Sequence, residues 1–397
     1  MRAVGSVVVM FLNKYFSRRL MIFISLANMI GFSLLTIIYL NFLTFFIFIF
    51  FGNFFSGIVD PLNQDILCEL LPTKFRGFFM SFQNISSPLA QVTSFSILKN
   101  MIMDNNNTSS LYKIQIITTI ILFIFSLISI IIYEDSSKYL ILKGDIEPAM
   151  VYLKKLLPDN DNNIDDRRKE IIIIELNKGI NEEIDSSFSD LFNKLFLKTT
   201  LAFLFIVILV RVIDDGLSAI LTLYISKIIK SKENEKVGNI GQNINLLGVL
   251  GPIVSGFLIE IPCLGRKISL LGTIILAIIF YICLYFHLTG FVVWLGLITI
   301  FSNSSTATVN TYLIETYPTK IRDTAVSFFS SINSLGMAIG GAVFMYLINL
   351  NFNGPFYFQI VSTIIQISLI PLLKYETYNK PLDKFEYVIT EEEKKHE

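Results

Sequence analysis

Two carboxylates and a guanidinium stand inside an otherwise apolar run: Arg211, Asp214 and Asp215 fall within residues 199–226. Each such charge in a bilayer costs at least about 2.5–3.5 kcal/mol unless it is paired or wet. On a helix Arg211 and Asp215 are four apart, share a face and can pair. Asp214 then points slightly aside, left for a proton or a cationic solute. The alternative is that the charges satisfy one another and only fix packing. A second acid, Asp60, stands beside Pro61 in another apolar run. It precedes Glu69 by about 13 Å of helix at ~1.5 Å per residue. Pro61 frees a backbone carbonyl nearby, so Asp60 either faces a polar cavity or serves a structural kink. Asp65, one turn before Glu69, groups instead with the charges at the end of that run.

Polar side chains recur at helical spacing elsewhere. Asn303, Thr306 and Asn310 form one stripe, and Gln242, Asn243 and Asn245 fall in one run. Gln83, Ser87 and Gln91 fall in another. Such groups can hold a hydroxylated or ionic solute, or they can hydrogen-bond helix to helix. Other chemistry is poorly supplied. There are two histidines, His287 and His396, and three cysteines, Cys68, Cys263 and Cys283, the cysteines all in or beside apolar segments. They give neither metal spacing nor a disulfide framework. With no convergent nucleophile and base, no enzyme activity, metal or cofactor is expected. The 32 basic residues are balanced by 32 acidic ones, which does not suit nucleic acid. The expected partners are a small solute, protons and lipid, and the expected state is a monomer.

The elements that carry these residues follow from composition. Of 397 residues, 53% are hydrophobic and 16% charged, where soluble domains carry roughly 25% charged residues. A spanning helix needs about 20 mostly apolar residues. Ten stretches qualify: 20–40, 42–68, 78–101, 113–133, 199–226, 238–259, 267–288, 290–313, 324–349 and 354–374. The apolar run Ala3–Leu12 is too short to span. Residues 134–198 are the one sizeable polar insertion, with helical patterns near 145–157 and 167–179 around an Asp/Asn-rich run, Asp159–Asp166. This divides the chain into a helix bundle at 1–133, a linker at 134–198, a second bundle at 199–374 and a tail at 375–397. Lys14, Arg18, Arg19, Lys74, Arg76, Arg266, Lys267, Lys320 and Arg322 fall on one side of the spans. Lys99, Lys113, Lys227, Lys230, Lys232 and Lys236 fall on the other. The excess makes the first side cytoplasmic, with the linker and the C-terminus. The sequons at Asn106 and Asn107 fall opposite.

The chain also repeats itself. Glu69, Pro72, Thr73, Lys74 and Arg76 recur as Glu315, Pro318, Thr319, Lys320 and Arg322, a shift of 246 (315 − 69). Ser81-Phe82 recurs as Ser327-Phe328 at the same shift. Ser17-Arg18-Arg19 matches Gly265-Arg266-Lys267, and Tyr133-Glu134-Asp135 matches Tyr375-Glu376-Thr377. Two bundles of like design are a transporter architecture. The shift places Met1 inside the second helix of the first bundle, so the first helix and half of the second are expected upstream of it.

These motifs and their order resemble the major facilitator superfamily, in its sugar-porter and organic-ion branch. The family's acidic residue followed by Gly-Arg-Arg reads here Asn13-Lys-Tyr-Phe-Ser17-Arg18-Arg19, without the acid and with Ser for Gly. The second copy runs from Glu260 to Gly265-Arg266-Lys267. The family's Glu-x-x-Pro-x-x-x-Arg-Gly is present as Glu69, Pro72, Arg76 and Gly77. The resemblance implies an all-α, polytopic fold of two pseudo-symmetric six-helix bundles that moves a small polar solute by alternating access. The alternative is a transporter-like receptor or scaffold that moves nothing. It also implies that the helices at 42–68, 199–226 and 290–313 line the cavity. The candidate substrate or proton residues are then Asp60, Gln91, Arg211, Asp214, Asp215, Gln242, Asn243, Asn303 and Asn310. Charge-assisted pairs among Arg18, Arg19, Glu69, Arg76, Glu134, Arg266, Glu315, Arg322 and Glu376 would hold the cytoplasmic side shut. One departure bears on the solute. Hexose porters carry a Gln-Gln pair and paired tyrosines in the helix at 199–226. Here Val212-Ile213 stand for the glutamines and Tyr224 is alone. This weakens a hexose reading and favours an organic cation or proton coupling.

Overall fold

The computed structural model describes residues 1–13, 15–38, 42–93, 116–117, 119–128, 140, 188–194, 196–229, 234–286, 290–373 and 375–380. The described residues are helical and turn, with no strand among them. The helices are α1 (Arg2–Leu12), α2 (Arg18–Ile38), α3 (Phe42–Leu70), α4 (Arg76–Gln83), α5 (Leu197–Ile229), α6 (Asn234–Gly248), α7 (Leu250–Glu260), α8 (Gly265–Phe286), α9 (Phe291–Thr316), α10 (Thr319–Leu350) and α11 (Gly354–Leu369). A further short apolar helix covers Thr119–Ile128. Among the described residues, seven helices are long and apolar enough to cross a membrane, with α6 and α7 together forming one span. α5 is longer still, and its three central charges set it apart. The expected spans at 78–101 and 113–133 lie partly outside the described residues, as do Glu134, most of the 134–198 linker and the two sequons.

Burial is inverted relative to a soluble protein. Phe46, Phe257, Phe286 and Ile364 point outward, while Arg18, Arg266 and Arg322 are among the largest fully buried side chains. Apolar surfaces this extensive need a hydrocarbon solvent, and the buried guanidiniums need partners. The protein is an integral, multi-pass membrane protein.

The helices form two groups. In the first, Val9, Met21, Ile22, Ile58, Leu62 and Ile66 make a core between α1, α2 and α3. α1 and α3 touch through backbone: a Cβ on Gly5 would lie 2.0 Å from the Phe54 carbonyl oxygen. Ser6 Oγ donates to the Gly57 carbonyl at 2.9 Å. In the second group, α5 and α10 pack along their length. A Cβ on Gly340 would lie 2.6 Å from the Val212 carbonyl oxygen, and one on Gly216 would lie 2.4 Å from Cδ2 of the Phe344 ring. The Gly340 contact is with backbone that cannot step aside. Gly340→Ala is therefore expected to lower stability by about 1–3 kcal/mol through forced separation of the helices, read as an earlier thermal unfolding in detergent.

The groups meet twice, along α1 and α3 against α10, and along α4 against α7 and α9. The repeat makes these the same contact made twice. α1 corresponds to α7 at a shift of 248 (250 − 2), and α4 to the start of α10 at 246 (322 − 76). α1 on α10 and α7 on α4 are thus equivalent contacts between repeated segments.

Candidate functional site

At one end of the bundles the repeated motifs build a charged clasp. Arg18, at the head of α2, is 2% exposed. Its Nη1 lies 3.0 Å from Glu69 and its Nη2 2.6 Å from Asp65, both at the end of α3. The same guanidinium crosses to the other group: Nη2 lies 2.5 Å from Asp323 Oδ1 and Nε 3.2 Å from Asp323 Oδ2. Asn13, at the end of α1, also donates to Asp323. Arg322 lies 3.6 Å from Glu69 and donates through Nε to the Tyr317 carbonyl at 3.2 Å.

The second copy is wired differently. Arg266 meets Glu315 of its own group with Nε at 2.9 Å and Nη2 at 3.1 Å, and donates to the Ile259 carbonyl at 2.8 Å. Glu260, 3.7 Å from Arg266, accepts from the Phe78 amide of α4 at 3.1 Å. Gly77 is required there, because a Cβ would lie 2.7 Å from both Arg266 and Glu260. Thr377 donates to Glu315 at 2.7 Å. Glu376 accepts from the amides of Arg266 and Lys267 at 2.8 and 3.0 Å, a carboxylate at the positive end of α8. Gly265, at φ +59°, makes room for it: a Cβ would lie 2.7 Å from the Glu376 carboxyl carbon. In the first copy this position is Ser17, whose Oγ accepts from the Leu20 amide at 3.3 Å and caps α2 itself. That is the physical content of the Ser-for-Gly departure.

Of the expected clasp residues, Arg18, Glu69, Arg266, Glu315, Arg322 and Glu376 come together. Arg76 is buried and reaches the Lys380 carbonyl of the tail at 3.4 Å. Arg19 is exposed and makes no ion pair among the described residues. Glu134 lies outside them.

The intramembrane cluster sits between α5 and α9. Arg211 lies 3.4 Å from Asp214 and 3.6 Å from Asp215, all three side chains 12–14% exposed. The expected division of labour is reversed in one respect. The hydrogen bonds converge on Asp214, from Arg211, from Ser302 Oγ at 3.1 Å and from Thr306 Oγ1 at 3.3 Å. Asp215 keeps a buried Oδ2 with no hydrogen bond among the described residues. The Arg211–Asp215 pair that helix spacing gives is present at 3.6 Å, and the hydroxyls of α9 bring Asp214 into the cluster as well. Asp60 is partly exposed and bonded to Arg2 of α1, with Arg2 Nε at 2.8 Å.

The polar stripe of α9 is divided among three neighbours. Asn303 donates to the Gly248 carbonyl of α6 at 3.2 Å, and Thr306 serves Asp214. Asn310 donates to Asn84, just beyond α4, at 2.9 Å. Gln91 and Gln242 are half-buried and Asn243 is exposed. A small cavity between α3, α5, α9 and α10 is lined by Gln64, Asn310, Ser330 and Asn333, with Val207 and Phe329 among its apolar walls. The Asn333 Oδ1 is buried without a hydrogen bond among the described residues. Gln64, Ser302, Ser330, Asn333 and Asp323 escape the sequence reading. Asp323 alone left a signal, as an acid standing where the first copy has Gly77.

A sugar (and other) transporter family model matches residues 1–387. Among solved structures, the chain is similar to the major facilitator superfamily proton:xylose symporter XylE bound to 6-bromo-6-deoxy-D-glucose, at 14% identity and a TM-score of 0.77, over 98% of this chain and 86% of that one. A double tryptophan mutant of XylE matches at 15% identity and a TM-score of 0.73, with the same coverage of both chains. The human organic anion transporter MFSD10 matches at 11% identity and a TM-score of 0.64, over 93% of this chain and 80% of that one. No curated protein matches the chain by sequence.

Proposed function

Given that the chain belongs to the sugar (and other) transporter family of the major facilitator fold, and so carries a small solute across a membrane, we propose that it couples a hydroxylated solute to protons. The observation that carries this reading is the charge imbalance in the intramembrane cluster. One guanidinium, Arg211, faces two carboxylates, Asp214 and Asp215, and an excess carboxylate so placed exchanges a proton or attracts a cation. Neutral hydrogen-bonding groups lie close by. Gln64, Asn310, Ser330 and Asn333 line one small cavity with room for about one water, and they supply neutral hydrogen-bonding groups to a solute once the bundles part. A proton:xylose symporter among the similar structures supports the same reading.

In this mechanism residues 1–133 and 199–374 rock against each other as two bundles of one monomeric carrier. The clasp end, richer in basic loop residues, is cytoplasmic. With the clasp formed, the solute and a proton enter from the opposite side. Their binding biases the bundles toward the state in which the clasp is broken.

The test is uptake of labelled D-xylose and D-glucose into proteoliposomes, with and without an inward proton gradient. Sugar uptake that accumulates only with the gradient supports the proposal. Uptake indifferent to the gradient removes the proton. Transport of tetraethylammonium in place of either sugar would assign the excess acid to a cationic solute.

A further inference from the structure

The two copies of the clasp differ in which bundle supplies the acid. At the end of α7, Glu260 reaches over to the backbone amide of Phe78 at the head of α4. At the end of α1, the related contact, the reaching residue is the amide Asn13, and the acid is Asp323 at the head of α10. Arg18 follows that exchange. Its homologue Arg266 spends two nitrogens on Glu315 within its own bundle. Arg18 keeps the equivalent pairing, with Nη1 3.0 Å from Glu69, and in addition gives Nε and Nη2 to Asp323 across the gap. A second cross-gap ion pair here, Arg322 with Glu69, is longer at 3.6 Å.

We propose that Asp323 is the latch of this carrier: an acid relocated from the end of α1 to the head of α10, whose bond to Arg18 sets the balance between clasp-closed and clasp-open states. The proposal goes beyond the proton-coupled reading and stands without it. Among the described residues, three carboxylates, Asp65, Glu69 and Asp323, surround two guanidiniums, Arg18 and Arg322. Removing the Asp323 charge therefore leaves two of each, and neither arginine is stranded. What is lost is the bond across the gap, and that bond must break each time the bundles part at this end. Two-nitrogen, charge-assisted contacts are the strongest hydrogen bonds available. They bias a two-state equilibrium only as far as they differ between its states, and this one exists in the closed state alone.

The test reads the gap directly and needs no solute. In the full chain carrying Cys283→Ala, spin labels are placed at Cys263, which is exposed, and at Leu20→Cys on the outer side of α2, 43% exposed. Cys68 is fully buried. Distance distributions are measured by pulsed electron spin resonance in nanodiscs. Asp323→Asn should shift the closed–open balance about tenfold toward the longer distance, the weight of one charge-assisted bond. Asn13→Asp alone should do the same by setting a second carboxylate against Asp323. The double variant Asn13→Asp/Asp323→Asn returns the acid to α1 and should recover the short distance, and that recovery also shows that the single variants fold. An unchanged distribution in Asp323→Asn, or a double variant as open as the single one, overturns the proposal.

Discussion

Arg266→Met lowers the stability of the carrier by about 3–5 kcal/mol, the range for breaking a buried ion pair from one side. Arg266 is 1% exposed and its partner Glu315 2%. Methionine fills much of the volume but leaves the Glu315 carboxylate with Thr377 as its remaining bonded neighbour, and it strips a donor from the Ile259 carbonyl. The measurement is thermal unfolding in detergent, with Arg19→Met as the control. Arg19 is an exposed arginine one residue beyond Arg18 in the same motif, and its loss should leave the transition where it is. The double variant Arg266→Met/Glu315→Met should recover part of the loss, because it removes the stranded charge. If Arg266→Met and Arg19→Met unfold together, the second clasp is a surface feature and its burial counts for nothing.

Asp214→Asn abolishes gradient-driven accumulation, by tenfold or more, while solute exchange without a gradient continues. The amide keeps the shape of the carboxyl and can still bond Ser302 and Thr306. Electrically, however, it leaves one guanidinium and one carboxylate, a balanced pair with no acid in excess. This holds whichever of Asp214 and Asp215 carries the proton, since the two share one neutralising partner. The sign follows. Acid outside loads the wild-type site and drives uptake, whereas the variant resembles a site that is loaded at every pH, so its pH profile is flat. Accumulation by Asp214→Asn that still follows the gradient would take this cluster out of the coupling and leave the Asp60–Arg2 pair as the next place to look.

Much of the clasp was legible without coordinates. The repeat at 246–248 residues pairs Glu69 with Glu315 and Arg76 with Arg322, and loop charges at this density read as partners. What the motifs could not reveal is their wiring. Arg18 and Arg266 are equivalent in sequence and each bonds the glutamate of its own bundle, yet Arg18 also bonds across the gap, because the neighbouring acid comes from α10 in one copy and from α7 in the other. Arg19 belongs to the motif and not to the clasp: it is one residue on from a buried position, about 100° round the helix, and so faces out. The stripe of Asn303, Thr306 and Asn310 is a true stripe, but a helix face spans more than one neighbour, and each residue serves a different one.

By itself, the amino-acid sequence determined that this is a membrane carrier built twice over. Apolar run length, the placement of charges and self-similarity are local or periodic properties, and a bilayer permits few ways to satisfy a backbone through such runs. The tertiary structure decided which charges meet. Pairing of Arg18 with Asp323, or of Asp214 with Ser302, joins residues far apart in the chain at distances of 2.5 to 3.1 Å. Such geometry depends on how helices pack, on glycines such as Gly77 and Gly340 that let them close, and on a repeated contact that places α1 on α10 as it places α7 on α4.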